Sequence, residues 1–260
     1  MKTVNKNNAE YLAEAVKHFN TASHPLALTG AGISVGSGIP DFRSPGGLWT
    51  RFSPDEYATL DIFLRKPEKA WQLYRKLGKE LLGKAPNKGH HVLADFETKG
   101  LLKGLITQNV DNLHQTAGSR NVLEIHGDHQ HLHCLQCGNC IPVVEDHYST
   151  EGVPECDLCS YPLKPNIVLF GEAVKSLDEI QDLISTCDLL LVIGTSAKVY
   201  PAAGIPESVK QQGGIIYEFN QEQALSSSGF SGHAPLSDYF FEGDLGVTLP
   251  LFSDAVFKKR

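Results

Sequence analysis

The sequence predicts an α/β protein: a parallel sheet covered on both faces, with a second, smaller lobe. Three observations predict it. Short, wholly apolar runs alternate with amphipathic helical segments, the pattern of strands buried on both sides. Residues 42–88 and 128–164 interrupt that rhythm. The second interruption carries two Cys-x-x-Cys pairs, Cys134/Cys137 and Cys156/Cys159, 18 residues apart. Four thiolates at this spacing close a tetrahedral Zn²⁺ site between two ribbon turns.

The first helix is predicted over Asn8 to Phe19, where Leu12, Ala15, Val16 and Phe19 form an i, i+3, i+4, i+7 stripe. The apolar run Pro25–Thr29 is a buried strand leading into a glycine-rich turn. A helix over His90–Lys99 precedes a strand at Leu105–Thr107, and Val122–Ile125 is a further short strand. Ser176-x-x-Glu179 reads as a capping box opening a helix to Ser185. Leu189–Ile193 and Ile215–Phe219 are buried strands. Gln223–Pro235, rich in Ser and Gly, reads as a flexible loop. The sheet domain is expected from residues 1–41, 89–127 and 165–260. The helical insertion 42–88 and the zinc-binding module 128–164 are expected to pack together as the small lobe. Ligands of open α/β sheets bind at the carboxyl ends of the strands, so a cleft between the lobes is expected there.

A formal net charge of −7 argues against a general nucleic-acid binder. No Lys or Arg stands between Cys134 and Cys159, which disfavours a zinc ribbon that grips phosphate. The first residues lack the apolar core of a signal peptide, and no stretch reaches the ~20 apolar residues of a membrane span. A cytoplasmic protein is expected, and a reducing cytosol favours zinc over disulfides. Cys140 offers a competing pair with Cys137 and is read as a spare thiol. His129, His131 and His133 alternate as one face of a strand rather than as ligands.

The turn Thr29-Gly-Ala-Gly-Ile-Ser-Val-Gly-Ser-Gly38 suits close approach of backbone to a pyrophosphate, with free N–H groups binding its oxygens. It is not the dinucleotide fingerprint, which needs glycine where Val35 stands, and it is not a P-loop. A tight strand–helix turn explains it as well. More specific motifs follow: Gly38-Ile-Pro-Asp-Phe-Arg43, Thr107-Gln-Asn-Val-Asp-Asn-Leu-His114, His126-Gly127, the four cysteines, Asn166-Ile-Val-Leu-Phe-Gly-Glu172, Gly194-Thr-Ser196 and Asn220. In this order, over roughly residues 9 to 250, the chain resembles the sirtuins, the Sir2-like NAD⁺-dependent protein deacylases.

The resemblance implies a Rossmann-like NAD-binding domain with a zinc-ribbon module and a helical insertion. It implies that one NAD⁺ is spent per acyl group removed from lysine, releasing nicotinamide and 2′-O-acyl-ADP-ribose. His126 is then the base for a ribose hydroxyl, since imidazole accepts and returns a proton near neutrality. Gln108, Asn109 and Asp111 form the nicotinamide and ribose pocket, with Asp111 on the carboxamide; Asn109 and Asp111 count with His126 as catalytic. Gly30, Ala31, Gly32, Ser34, Ile39, Asp41, Phe42 and Arg43 hold the cofactor, Phe42 shielding the ribose and Arg43 approaching phosphate. Gly194, Thr195 and Ser196 suit phosphate or ribose, Asn220 the adenosine ribose, and Asp244 and Leu245 the adenine. Without the resemblance, a plain strand-end turn explains each of these groups nearly as well.

Val168, Phe170, Gly171 and Glu172 resemble the substrate channel, where an acyl-lysine protein or peptide adds as a strand, with Val199 opposite. Lys198 stands where an apolar residue is usual. Relatives that remove succinyl or malonyl groups carry Tyr-x-x-Arg in the helical insertion. Here the run is Tyr74-Arg75-Lys76-Leu77, with no guanidinium fork for a buried carboxylate, so uncharged acyl groups are expected. Arg75 or Lys76 compensates only in another helix register. Zinc, held by four thiolates with no open position, is structural. Competing readings are a mono-ADP-ribosyltransferase, an NAD hydrolase and a non-enzymatic zinc-ribbon binding module. Neither nucleic acid nor membrane is expected as a partner, and oligomeric state is left open.

Overall fold

The computed structural model describes residues 1–5, 8–41, 47–174, 176–227 and 234–258. Phe42, Arg43 and the centre of the Ser/Gly-rich segment lie outside them.

Strands β1 (Lys2–Val4), β2 (Pro25–Thr29), β3 (Gly104–Thr107), β4 (Val122–Glu124), β8 (Leu189–Ile193), β9 (Ile215–Asn220) and β12 (Tyr239–Glu242) make one parallel sheet, in the order β1-β12-β9-β8-β2-β3-β4. Strands β5 (Gly127–Cys134), β6 (Cys140–Pro142) and β7 (Leu163–Ile167) form a separate antiparallel sheet, and β10 (Ser226–Ser227) pairs with β11 (Ala234–Pro235). Side chains alternate along the parallel strands, so each strand feeds two cores. Ala27, Leu105, Leu191 and Phe219 face a core shared with α1 (Ala9–Thr21), α5 (Lys88–Thr98) and α10 (Leu245–Lys258). Leu28, Ile106, Leu190 and Ile216 face the opposite core, shared with α8 (Leu177–Ser185) and α9 (Ile205–Gln211).

Two helix starts differ from expectation. Ser176 makes no side-chain cap, so the Ser176-x-x-Glu179 capping box is absent. A capping box instead opens α5 two residues before His90: Asn87 Oδ1 accepts from Gly89 N–H at 2.8 Å, and His90 Nδ1 accepts from Asn87 N–H at 3.2 Å. Histidine fills the position usually held by Glu or Gln, which hides the motif.

The insertion supplies α2 (Pro54–Tyr57), α3 (Leu60–Arg65) and α4 (Pro67–Leu81); α6 (Leu113–Ala117) follows β3, and α7 (Asp146–Ser149) lies in the cysteine module. Helix α4 and the antiparallel sheet share one core containing Trp71, Tyr74, Leu132, Tyr148 and Leu163. Trp71 is fully buried and its indole N–H donates to Leu163 O at 2.8 Å. Gly78 lies against the Tyr148 ring, where a Cβ would sit 2.5 Å from a ring carbon. The histidines of β5 do not share a face. A register shift between Gly127 and Leu132 breaks the alternation, burying His129 against Tyr148 while His131 is exposed. Among the described residues no helix is long and apolar enough to cross a membrane.

Candidate active site

The strands β2, β3, β4, β8, β9 and β12 all end on one side of the sheet. The chain runs outward from β2 to β3 and β4, then crosses to β8 and β9, so β2 marks the topological switch point. There a cleft of about 1290 Å³ opens between the sheet and the small lobe.

The glycines of the first turn serve close packing. Gly30 N–H donates to Ile193 O at 2.9 Å and Gly32 N–H to Gly194 O at 2.8 Å. A Cβ on Gly32 would stand 2.7 Å from Gly194 Cα, and one on Gly194, whose φ is +60°, 2.6 Å from Ile33 N. Only glycine allows β2 and β8 to end in such contact. These two N–H groups are therefore spent inside the protein and are not among those the turn could offer a pyrophosphate. The next residues form a 3₁₀ turn, Ala31–Ser37.

Gly30, Ala31, Gly32 and Asp41 line the cleft beside Gly194, Thr195, Ser196, Asn220, Asp244 and Leu245. Thr195 ties this wall together: its hydroxyl accepts from Gln108 Nε2 at 2.9 Å, and its carbonyl from Asn220 Nδ2 at 3.0 Å. Asp244 Oδ1 accepts from Gly246 N–H at 2.7 Å, at the start of α10, so its carboxylate is occupied locally.

Ser34, Ile39 and Asp111 line a small side chamber of about 30 Å³, which shares Asn109, Ala31 and Leu77 with the main cleft. Ser34 O–H donates to Asp111 Oδ2 at 2.6 Å, and Leu113 N–H donates to Oδ1 at 3.0 Å. Burial pushes the Asp111 carboxyl above the usual range, and these two donors pull it back. Asn109 Nδ2 donates to Gly30 O at 3.2 Å and to Ser34 Oγ at 3.1 Å. Both its amide protons are thereby used, leaving its carbonyl oxygen as the acceptor for a ligand.

His126 follows β4 and lines the main cleft. Its Nδ1 lies 3.0 Å from the Gln108 carbonyl oxygen. A carbonyl only accepts, so Nδ1 carries the proton and Nε2 holds a lone pair. Nε2 is shielded from solvent and has no hydrogen-bond partner in the protein. Burial lowers the imidazole pKa, opposed by the Gln108 carbonyl, so the ring is neutral at pH 7.

Across the cleft stand Val168, Phe170, Gly171 and Glu172, with Val199 and Lys198 on the other rim. Val168 N–H donates to His126 O at 2.8 Å, and Phe170 exchanges backbone hydrogen bonds with Ala58 and Leu60 of the insertion. One stretch of the wall, supplied by the insertion, is apolar: Leu48, Trp49, Ala58, Leu73 and Leu77. No motif marks these residues; their one signal is the i, i+4 spacing of Leu73 and Leu77 on α4. The register of α4 turns Leu77 to the cleft and sends Arg75 to the carbonyls of Thr150 and Gly152, while Lys76 pairs with Glu80 at 2.5 Å. Neither cation reaches the apolar wall.

The sulfurs of Cys134, Cys137, Cys156 and Cys159 all lie within 4.8 Å of one another. The Cys134–Cys159 and Cys137–Cys156 separations are 3.5 and 3.6 Å. Tetrahedral Zn–S bonds of ~2.3 Å set sulfurs ~3.8 Å apart, so the four thiols fit zinc. The two turns share one backbone pattern. Gly138 and Ser160 N–H donate to Cys134 and Cys156 O, and both residues are left-handed, at φ +76° and +58°. Cys140 is exposed and outside the cluster.

The Sir2 family model matches residues 30–201. An NAD-dependent protein deacylase of Pyrococcus furiosus is 40% identical over 245 residues, 92% of this chain and 95% of that protein. An NAD-dependent protein deacetylase of Sulfurisphaera tokodaii is 43% identical over 205 residues, 78% of this chain and 82% of that protein. The solved structure of a Sir2 homologue in complex with NAD superposes with a TM-score of 0.84 at 38% identity, over 95% of this chain and 94% of that one. A Sir2 structure with a p53 peptide and NAD⁺ superposes at 0.79 and 33% identity, over 95% and 97%. With a family match over most of its length and relatives 40% identical across nine tenths of it, the chain belongs to the Sir2 family.

Proposed function

We infer that the chain is an NAD-dependent protein lysine deacylase, and propose that it acts first of all on acetyl-lysine and other uncharged acyl-lysines. The observation that carries the assignment of roles is the state of His126: a neutral imidazole lining the cleft, its tautomer fixed by Gln108, with an unpaired Nε2 shielded from solvent. NAD, when bound, supplies the ribosyl carbon that receives the acyl oxygen and the hydroxyl whose proton must be removed. His126 Nε2 takes that proton, and the Gln108 carbonyl stabilises the imidazolium that results. Asp111 and the Asn109 carbonyl oxygen are acceptors for a carboxamide in a largely apolar side chamber, with Asp111 accepting from its N–H₂. Thr195, Ser196 and Asn220 take the phosphate and ribose portions.

Val168, Leu73, Leu77 and Trp49 make an apolar channel for the lysine stem and acyl group. Among the described residues it has no guanidinium to pair with an acyl carboxylate, which would be left buried and uncompensated. The four cysteines bind one structural zinc, which cross-links the two turns of the ribbon that packs on α4 and takes no part in the chemistry.

The test is mass spectrometry of an acetyl-lysine peptide incubated with the protein, with and without NAD⁺. NAD⁺-dependent loss of acetyl with formation of O-acetyl-ADP-ribose is expected. ADP-ribose on protein or free in solution, without deacetylation, would establish transferase or hydrolase chemistry instead.

A further inference from the structure

Lys164, in β7, is 1% exposed. An ammonium so placed is costly unless each of its three N–H bonds finds an acceptor. All three do: Nζ donates to Ile167 O at 2.6 Å and to Pro165 O at 3.2 Å, and lies 3.2 Å from Glu172 Oε2. The same carboxylate oxygen accepts from Leu169 N–H at 3.0 Å. One buried ion pair therefore joins the start and the end of residues 164–172. Cleft-lining residues Ile167 to Gly171 lie between its two members, and Glu172 is itself one of them.

Other ties fix this segment too: β7 pairs with β5 up to Ile167, Val168 N–H donates to His126 O, Phe170 bonds the insertion, and Glu172 N–H donates to Leu169 O at 2.9 Å. Gly171, at φ +87°, turns the chain between Phe170 and Glu172. The backbone bond closes the 169–172 turn on itself, whereas the ion pair ties the Glu172 side chain back to β7.

We propose that Lys164 is a positioning residue for acyl-lysine recognition: through Glu172 and the Ile167 carbonyl it sets the shape of the Val168–Glu172 wall. This rests on the reading that the wall receives acyl-lysine. Lys164 touches neither substrate, so its effect falls on the peptide side of the cleft and leaves the Gly194–Ser196 side alone.

Initial-rate kinetics with acetyl-peptide and NAD⁺ varied separately, joined to hydrogen exchange of the ligand-free protein, tests the proposal. Lys164→Met removes the charge and strands the Glu172 carboxylate. It is expected to raise KM for the peptide about tenfold or more while KM for NAD⁺ stays within about twofold, and to speed exchange of the Leu169 amide. Lys164→Arg keeps the charge and should restore peptide KM to within about threefold of wild type. Glu172→Gln, which keeps shape and lets Lys164 retain its carbonyl partners, should repeat the Lys164→Met pattern more weakly, and serves if Lys164→Met does not fold. Equal shifts in both KM values, or wild-type KM and exchange in Lys164→Met, would overturn the proposal. A wild-type protein inactive on every acyl-peptide would instead overturn the functional reading, while the exchange data still decide whether Lys164 holds the wall.

Discussion

Acid should destabilise this protein through two histidines that the chemistry does not use. His90 and His114 are buried, at 0% and 1% exposure, with ring centroids 4.8 Å apart. Burial lowers their pKa values to about 4 and about 3. Unfolded, each titrates near 6.5. Between these limits the unfolded state binds more protons, so stability rises with pH across the window and falls as pH drops below about 6.5. From pH 7 to pH 5 the unfolded state gains about 2 kcal/mol per histidine, while the folded state gains almost nothing. The pair therefore contributes a loss of about 4 kcal/mol, a large part of the 5–15 kcal/mol that is typical of folded domains. Raised carboxyls at Asp111, Glu124 and Glu218 act in the opposite sense, and acid also weakens any thiolate–metal bond, so the wild type alone does not isolate the effect. The assay is urea unfolding at pH 7 and pH 5 for the wild type and for His114→Gln. The variant is less stable at pH 7, because His114 Nε2 meets the Thr29 hydroxyl at 2.9 Å, but its loss between the two pH values should be smaller by about 2 kcal/mol. Titrating groups remote from His114 cancel in that difference, and His90, still buried, stays neutral down to pH 5. An identical pH dependence in the two proteins would show that His114 is not held neutral, and would refute the reasoning.

Three further predictions follow from the site. His126→Ala should abolish NAD⁺-dependent deacylation while the thermal midpoint moves by only a few degrees, since the ring makes one hydrogen bond, to Gln108; near-normal turnover by mass spectrometry would remove His126 from the mechanism. Leu77→Arg should shift the succinyl-to-acetyl rate ratio upward, by up to about a hundredfold if the guanidinium engages the carboxylate in a two-point contact, at a cost in stability from its burial; an unchanged ratio would mean that residue 77 does not meet the acyl group. Cys156→Ala should lower zinc content and thermal midpoint together, read by elemental analysis and calorimetry; full zinc occupancy in that variant would sink the four-cysteine site.

What was legible in the sequence was what periodicity and fixed spacing encode. The buried strands Leu189–Ile193 and Pro25–Thr29 lie where their apolar runs place them, because a strand buried on both faces leaves a continuous signature. The cysteine cluster was legible because ligand spacing is a geometric demand. The apolar wall of the channel was not. Leu73 and Leu77 obey the same helical period as core residues such as Trp71 and Tyr74, and only the docking of α4 decides which of them meets the cleft. The buried Lys164 was likewise invisible, since nothing local distinguishes a lysine that folds back onto its own strand from one in solvent. The glycine turn meets a second demand that its local pattern does not show: Gly30 and Gly32, which line the cleft, also pack against Gly194. That contact joins residues far apart in the chain, and no local pattern reports it.

The pair His126-Gly127 shows how one non-local contact links the two halves of the site. Gly127 has φ +75°, and a Cβ there would stand 2.0 Å from the Asn166 carbonyl oxygen. It is paired across β5 and β7 with Ile167, and the next residue, Val168, bonds back to His126 O. The absence of a side chain at 127 therefore lets the strand leaving the base and the strand entering the channel touch. Gly127→Ala adds a left-handed backbone penalty of ~1–2 kcal/mol and forces the two strands apart to relieve the contact. Because His126 and Val168 are displaced together, kcat should fall and peptide KM should rise in one variant, while binding of ADP-ribose, measured by calorimetry, changes little. A variant that lost ADP-ribose binding equally would show that the damage spreads through the whole sheet. Wild-type kinetics would show that β5 and β7 separate without moving either the base or the channel, and the coupling argued from their contact would be wrong.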